Sequence, residues 1–190
     1  MSAGERPLRV VLIGPESTGK TRLAEELAQR YGVPWSPEYA RAYVETRTEP
    51  LELGDVDAIG RGQMAGEDAT LAQAVRLGVP LVLFDTDLVS TMVYSHHYYG
   101  DCPEWIEHDA RARVGDLYLL HHVDVPWVAE GVQREQPERR RELLERFRAT
   151  LGELGAPVAD VRGAWGERKR RAVESVDRLL EGGVASPSRP

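Results

Sequence analysis

One stretch limits the folds open to this chain more than any other. Gly14-Pro15-Glu16-Ser17-Thr18-Gly19-Lys20-Thr21 follows the short apolar run 8–13 and opens a helical pattern at Lys20. The octet has the form G-x-x-x-x-G-K-T, and it lies where that form works, between a buried strand and a helix. Its glycines let the backbone wrap closely, so that N–H groups and the helix N-terminus face an anion such as a chain of phosphates. With 18 glycines, 16 serines plus threonines and two lysines in 190 residues, chance produces the pattern about once in a thousand such chains. Basic positions elsewhere are almost all arginine, yet this one is lysine, the point charge that a phosphate cradle uses.

The rest of the chain alternates strand and helix. Leu23, Leu27 and Tyr31 repeat at helical spacing until Gly32 and Pro34 stop the first helix. A short strand is expected at 33–36, a helix at 38–47, and one long helix at 55–77 despite Gly60, Gly62 and Gly66. "VPLVLFD" (79–85) is the clearest interior strand, and "DLYLLHH" and "APVADV" are two more. This order implies an α/β fold of the P-loop NTPase type. Its central sheet is mostly parallel with helices on both faces, and ligands bind at the carboxyl ends of the strands. Residues 1–182 are expected to form one domain, with 183–190 a disordered tail.

Bulk properties narrow the class. The net charge of −7 argues against a nucleic-acid partner. A single cysteine, Cys102, excludes an intrachain disulfide and fits a reducing compartment. No run approaches the roughly 20 apolar residues of a membrane helix. A cytoplasmic protein with no membrane partner is expected, a homo-oligomer being compatible with the sequence. The paired histidines His96-His97 and His121-His122 read as packing residues, since nothing at metal-ligand spacing converges on them.

The candidate chemistry gathers around the octet. Lys20 is expected to reach the β- and γ-phosphates of ATP, and the Thr21 hydroxyl to ligate Mg²⁺. Asp85, directly after four apolar strand residues, is the candidate magnesium carboxylate. Asp87, two residues on, reads as a helix N-cap. A guanine-reading Asn-Lys-x-Asp is impossible, because the chain has no asparagine. A small-molecule kinase needs an acceptor pocket, a proton-accepting acid and arginines on a closing lid. "PWSPEYARAYVE" (34–45) is the pocket candidate: Trp35 and Tyr39 would sandwich a flat ring, with Glu38 either accepting hydrogen bonds from ribose hydroxyls or acting as general base, and Arg41 the cation. The lid candidate is 130–147, where Arg134, Arg139 and Arg140 carry the charge.

"GPESTGKT", "W-x-x-EYAR", "FDTD", "YYG-x-x-P-x-W" and "PWVAEGV-x-R-x-x-P-x-x-R" occur in that order over 10–165. The series resembles the nicotinamide riboside kinase domain of the bacterial NadR family, without the adenylyltransferase domain such proteins also carry. The resemblance implies ATP- and Mg²⁺-dependent phosphorylation of the ribose 5′-hydroxyl of nicotinamide riboside, a small-molecule nucleoside partner. By position it implies Glu38 or Asp85 as base, and Tyr39, Arg41, Asp87 and Tyr98 or Tyr99 around the riboside. The family lid commonly reads acid-Gly-x-Arg; here Gln133 follows Glu130-Gly131-Val132 and the arginine falls at Arg134. A P-loop ATPase that regulates without phosphorylating a metabolite is the alternative reading.

Overall fold

The computed structural model describes residues 6–124 and 137–182. Arg134, the first half of the lid candidate and the 183–190 tail lie outside the described residues. Five parallel strands form one sheet in the order β2-β3-β1-β4-β5. They are β1 (Leu8–Ile13), β2 (Trp35–Ser36), β3 (Leu81–Asp85), β4 (Leu117–His121) and β5 (Val158–Val161). The helices are α1 (Lys20–Tyr31), α2 (Tyr39–Glu45), α3 (Asp55–Leu77), α4 (Leu88–Tyr99), α5 (Glu104–Ala112), α6 (Pro137–Glu153) and α7 (Trp165–Leu180).

Strand periodicity explains the two cores. Val10 and Leu12 point to one face of β1, Val11 and Ile13 to the other, and all four are fully buried. The first face, with Leu81, Leu83, Leu117 and Leu119, packs under α1 and α7 through Leu23, Leu27, Ala172 and Val176. The second, with Val82, Phe84, Tyr118 and Leu120, packs under α3 to α6 through Met92, Ile106, Leu143 and Phe147. Burial on both faces is why the strands read as continuous apolar runs rather than alternating ones.

The topology positions the site. The central strand β1 leaves through α1 on one face toward β2, whereas its neighbour β3 leaves through α4 and α5 on the other face toward β4, so a crevice opens at their carboxyl ends. Register aligns Leu12 with Asp85 and Ile13 with Leu120. The octet, Asp85 and His121 therefore emerge along one sheet edge.

The long α3 contains its glycines for a packing reason. A Cβ at Gly60 would lie 2.7 Å from the side chain of Ile106 on α5, which is fully buried. Alanine there gains up to about 1 kcal/mol of helix propensity but overpacks a closed site, which typically costs about 1–3 kcal/mol. Gly60→Ala is therefore expected to lower stability by about 1 kcal/mol, read as a lower urea midpoint at unchanged slope.

Candidate functional site

The octet folds as a loop whose carbonyls are taken up by side chains. Lys20 Nζ donates to Gly14 O at 3.0 Å and Pro15 O at 2.9 Å, and Thr18 Oγ1 donates to Pro15 O at 2.8 Å. Two buried groups donate to Thr18 O: His121 Nδ1 at 3.1 Å and Arg168 Nη1 at 3.2 Å. Arg140 reaches Ser17 O at 3.4 Å. Gly14, at φ 131°, packs its Cα against the His121 backbone with no room for a side chain.

Asp85 closes β3 beneath this loop and is 1% exposed. Its Oδ2 accepts the Thr21 hydroxyl at 2.5 Å, while Oδ1 is buried with no hydrogen-bond partner among the described residues. A hydroxyl and a carboxylate with an unused oxygen form a hard donor set, which fits Mg²⁺. Among the described residues no group of three or more His, Cys, Asp or Glu side chains converges to suit a metal.

The 34–45 segment comes up against the same end of the loop. Arg41 lies 3.4 Å from Thr21 Oγ1 and 3.7 Å from Glu38 Oε2. Burial pushes the Glu38 carboxyl above its ordinary range; Lys20 and Arg41 oppose that rise, and Asp85 and Glu16 add to it. Glu38 thus sits within electrostatic reach of Lys20 and Asp85, two of the residues a phosphate site would be built from. A buried amide holds the segment: Gln63 Oε1 accepts the Tyr39 N–H at 3.0 Å, and its Nε2 donates to Thr86 O at 3.1 Å. Thr86, at φ 68°, is the residue after Asp85. The cleft against this segment is lined by Ser36, Glu38, Tyr39, Arg41 and Gly62 among others.

Three expectations are redrawn. Trp35 does not face Tyr39: paired with Leu83 in register, it packs into the core under α1, while Tyr39 lies over Gly62 of α3. The aromatic pair beside the loop is instead Tyr94 and Tyr98, stacked at 5.9 Å, with the Tyr94 hydroxyl donating to Glu16 at 3.0 Å. Asp87 turns away from the cleft. It caps α4 through the Ser90 N–H and accepts the Tyr118 hydroxyl at 2.7 Å. Finally, Arg140 is the residue of α6 buried against the loop, and Arg139 is exposed.

Sequence reasoning passed over Arg168 and Trp165 and read His121 as simple packing. Arg168 is fully buried and also donates to Gly163 O and His122 O while pairing with Asp124. The Trp165 ring lies under the Arg22 guanidinium at 4.1 Å. No local pattern marks them, since Thr18, which His121 and Arg168 meet, and Arg22, which Trp165 meets, lie more than a hundred residues away in the chain.

A family model described as an AAA domain matches residues 9–168. No curated protein sequence matches significantly. Among solved structures, a NadR protein in complex with NR superposes with a TM-score of 0.69 at 24% identity, over 97% of this chain and 52% of that one. A NadR protein in complex with NAD and AMP-PNP superposes at 0.70 and 24%, over 97% and 51%. Thymidylate kinase from Ehrlichia chaffeensis superposes at 0.64 and 14%, over 92% and 100%. The chain spans about half the length of the two NadR chains.

Proposed function

The chain belongs to the family described as an AAA domain, and on that premise we propose that it transfers the γ-phosphoryl group of ATP to the ribose 5′-hydroxyl of nicotinamide riboside, giving nicotinamide mononucleotide. The observation that carries this reading is Arg41, which bridges Thr21 of the phosphate loop and Glu38 of the acceptor segment. A nucleoside lodged along 35–41 then has its hydroxyl beside the end of a triphosphate. The fold shared with NadR proteins, one bound to NR and one to NAD and AMP-PNP, supports the choice of donor and acceptor.

Each residue has a role in that chemistry. Lys20 leaves the loop carbonyls to neutralise charge on the transferring group. Thr21 and Asp85 would hold Mg²⁺, which when bound neutralises phosphate charge. Glu38 orients the 5′-hydroxyl and takes its proton as the oxygen–phosphorus bond forms and the bond to the departing ADP breaks. Tyr94 and Tyr98 offer a flat apolar wall, with Glu16 at its edge suited to a cationic ring. Arg140 approaches from α6.

A coupled ADP-release assay over nicotinamide riboside, adenosine, thymidine and thymidine monophosphate tests the function. Thymidine monophosphate belongs in the panel because thymidylate kinase shares the fold. Release stimulated by the riboside supports the proposal, and a rate indifferent to every acceptor supports a nucleotide-hydrolysing regulator. The pH profile tests Glu38. Its raised carboxyl must be ionised to accept a proton, so the acid limb of kcat/KM is expected above the ordinary glutamate value of about 4.3. Glu38→Gln should remove that limb and lower kcat by about 10²–10⁴-fold; a variant with unchanged kcat and riboside KM puts the acceptor elsewhere.

A further inference from the structure

The phosphate loop binds through N–H groups, so something must keep its carbonyls turned away. At Gly14 and Pro15 that donor is Lys20, which is withdrawn when the lysine engages phosphate. At Thr18 the donors do not depend on Lys20. His121, at the end of β4, and Arg168, on α7, meet the same carbonyl oxygen from the protein interior, and both side chains are fully buried. A trans peptide is planar with its C=O and N–H opposed. Holding Thr18 O inward therefore points the Gly19 N–H outward, into the concavity of the loop.

We propose that His121 and Arg168 are positioning residues for nucleotide binding, which aim the Gly19 N–H at the donor's phosphates by clamping the Thr18 carbonyl from behind. The inference rests on reading the loop as a nucleotide site. The imidazole chemistry fits a clamp. A carbonyl oxygen 3.1 Å away requires the proton on Nδ1. Burial, with Lys20 and Arg168 nearby, keeps the ring neutral by pulling its pKa down to about 3. Nε2 is then left bare, buried and without a partner among the described residues. A buried nitrogen with no partner costs stability, so packing alone favours leucine at this position. Arg168 secures the clamp to the frame, since its other donors hold Gly163 O and His122 O.

The test separates binding from stability. ADP is titrated by calorimetry into the whole protein, wild type and variants, with Tm measured for each. His121→Leu removes the Nδ1 donor and the unpaired Nε2 together. It is expected to keep or raise Tm while weakening ADP about tenfold, the loss of one well-placed buried hydrogen bond. His121→Asn carries its amide nitrogen on Cγ, as imidazole carries Nδ1, and should restore affinity to within about threefold of wild type. Arg168→Lys keeps one cationic donor but cannot serve three carbonyls. It gives a second reading, with ADP weakened about tenfold, and stands in if His121→Leu does not fold. Wild-type affinity for ADP in folded His121→Leu, or in Arg168→Lys where the leucine variant does not fold, overturns the clamp. Absence of ADP binding by the wild type instead overturns the nucleotide reading of the loop.

Discussion

Lys20→Ala is expected to lower kcat by about 10³-fold, the scale seen when a preorganised charge is removed from a developing anion. The side chain is 7% exposed and its ammonium is already at the mouth of the loop, held by Gly14 O and Pro15 O. Short-range charge at a desolvated phosphate is worth far more than at a surface. Stability should move much less. Pro15 O keeps the Thr18 hydroxyl, so the variant forfeits about one hydrogen bond of net worth near 1 kcal/mol, or about 2–4 °C in Tm. Lys20→Arg should not rescue, because a planar fork does not replace a compact ammonium in a closed loop. Steady-state ADP release at saturating riboside measures the effect, and more than a tenth of wild-type turnover refutes the role given to Lys20.

Asp85→Asn makes the second large effect, with a sign split. The amide oxygen still accepts the Thr21 hydroxyl, but the charge that would face Mg²⁺ is gone. Turnover is expected to fall about 10²–10³-fold, with a higher Mg²⁺ concentration needed for half-maximal rate. Yet Oδ1 is a buried carboxylate oxygen with no hydrogen-bond partner among the described residues. Relieving that buried charge should hold or raise the Tm of the ligand-free protein. A variant that loses stability and keeps its Mg²⁺ response would mark Asp85 as structural.

Much of the architecture was legible because its signals are local. β1, α1, β3 and β4 follow from apolar runs and a helical repeat within single segments. Other features had local signals that were read the wrong way. Arg140 shares a helical stripe with Leu143, Leu144 and Phe147, three, four and seven residues on, and that stripe is buried. The phase of α6 therefore selects Arg140 over Arg139. Asp87 stands three residues before the Ser90 N–H it caps, so its cap role was visible; its bond to Tyr118 was not. Trp35 was misjudged because a two-residue strand has too little sequence to show which side of the sheet it faces.

The sequence by itself determined that a strand, a glycine-rich turn and a helix would form a phosphate loop, and that strand–helix alternation would bury a parallel sheet on both faces. Those outcomes depend on backbone sterics and on periodicity over a few residues. Only the tertiary structure decided which side chains back the loop, which aromatic pair stands beside it, and that Arg41 joins the 34–45 segment to Thr21. Each depends on strand order and helix phase bringing together atoms far apart in the chain, and no spacing along one segment encodes that distance.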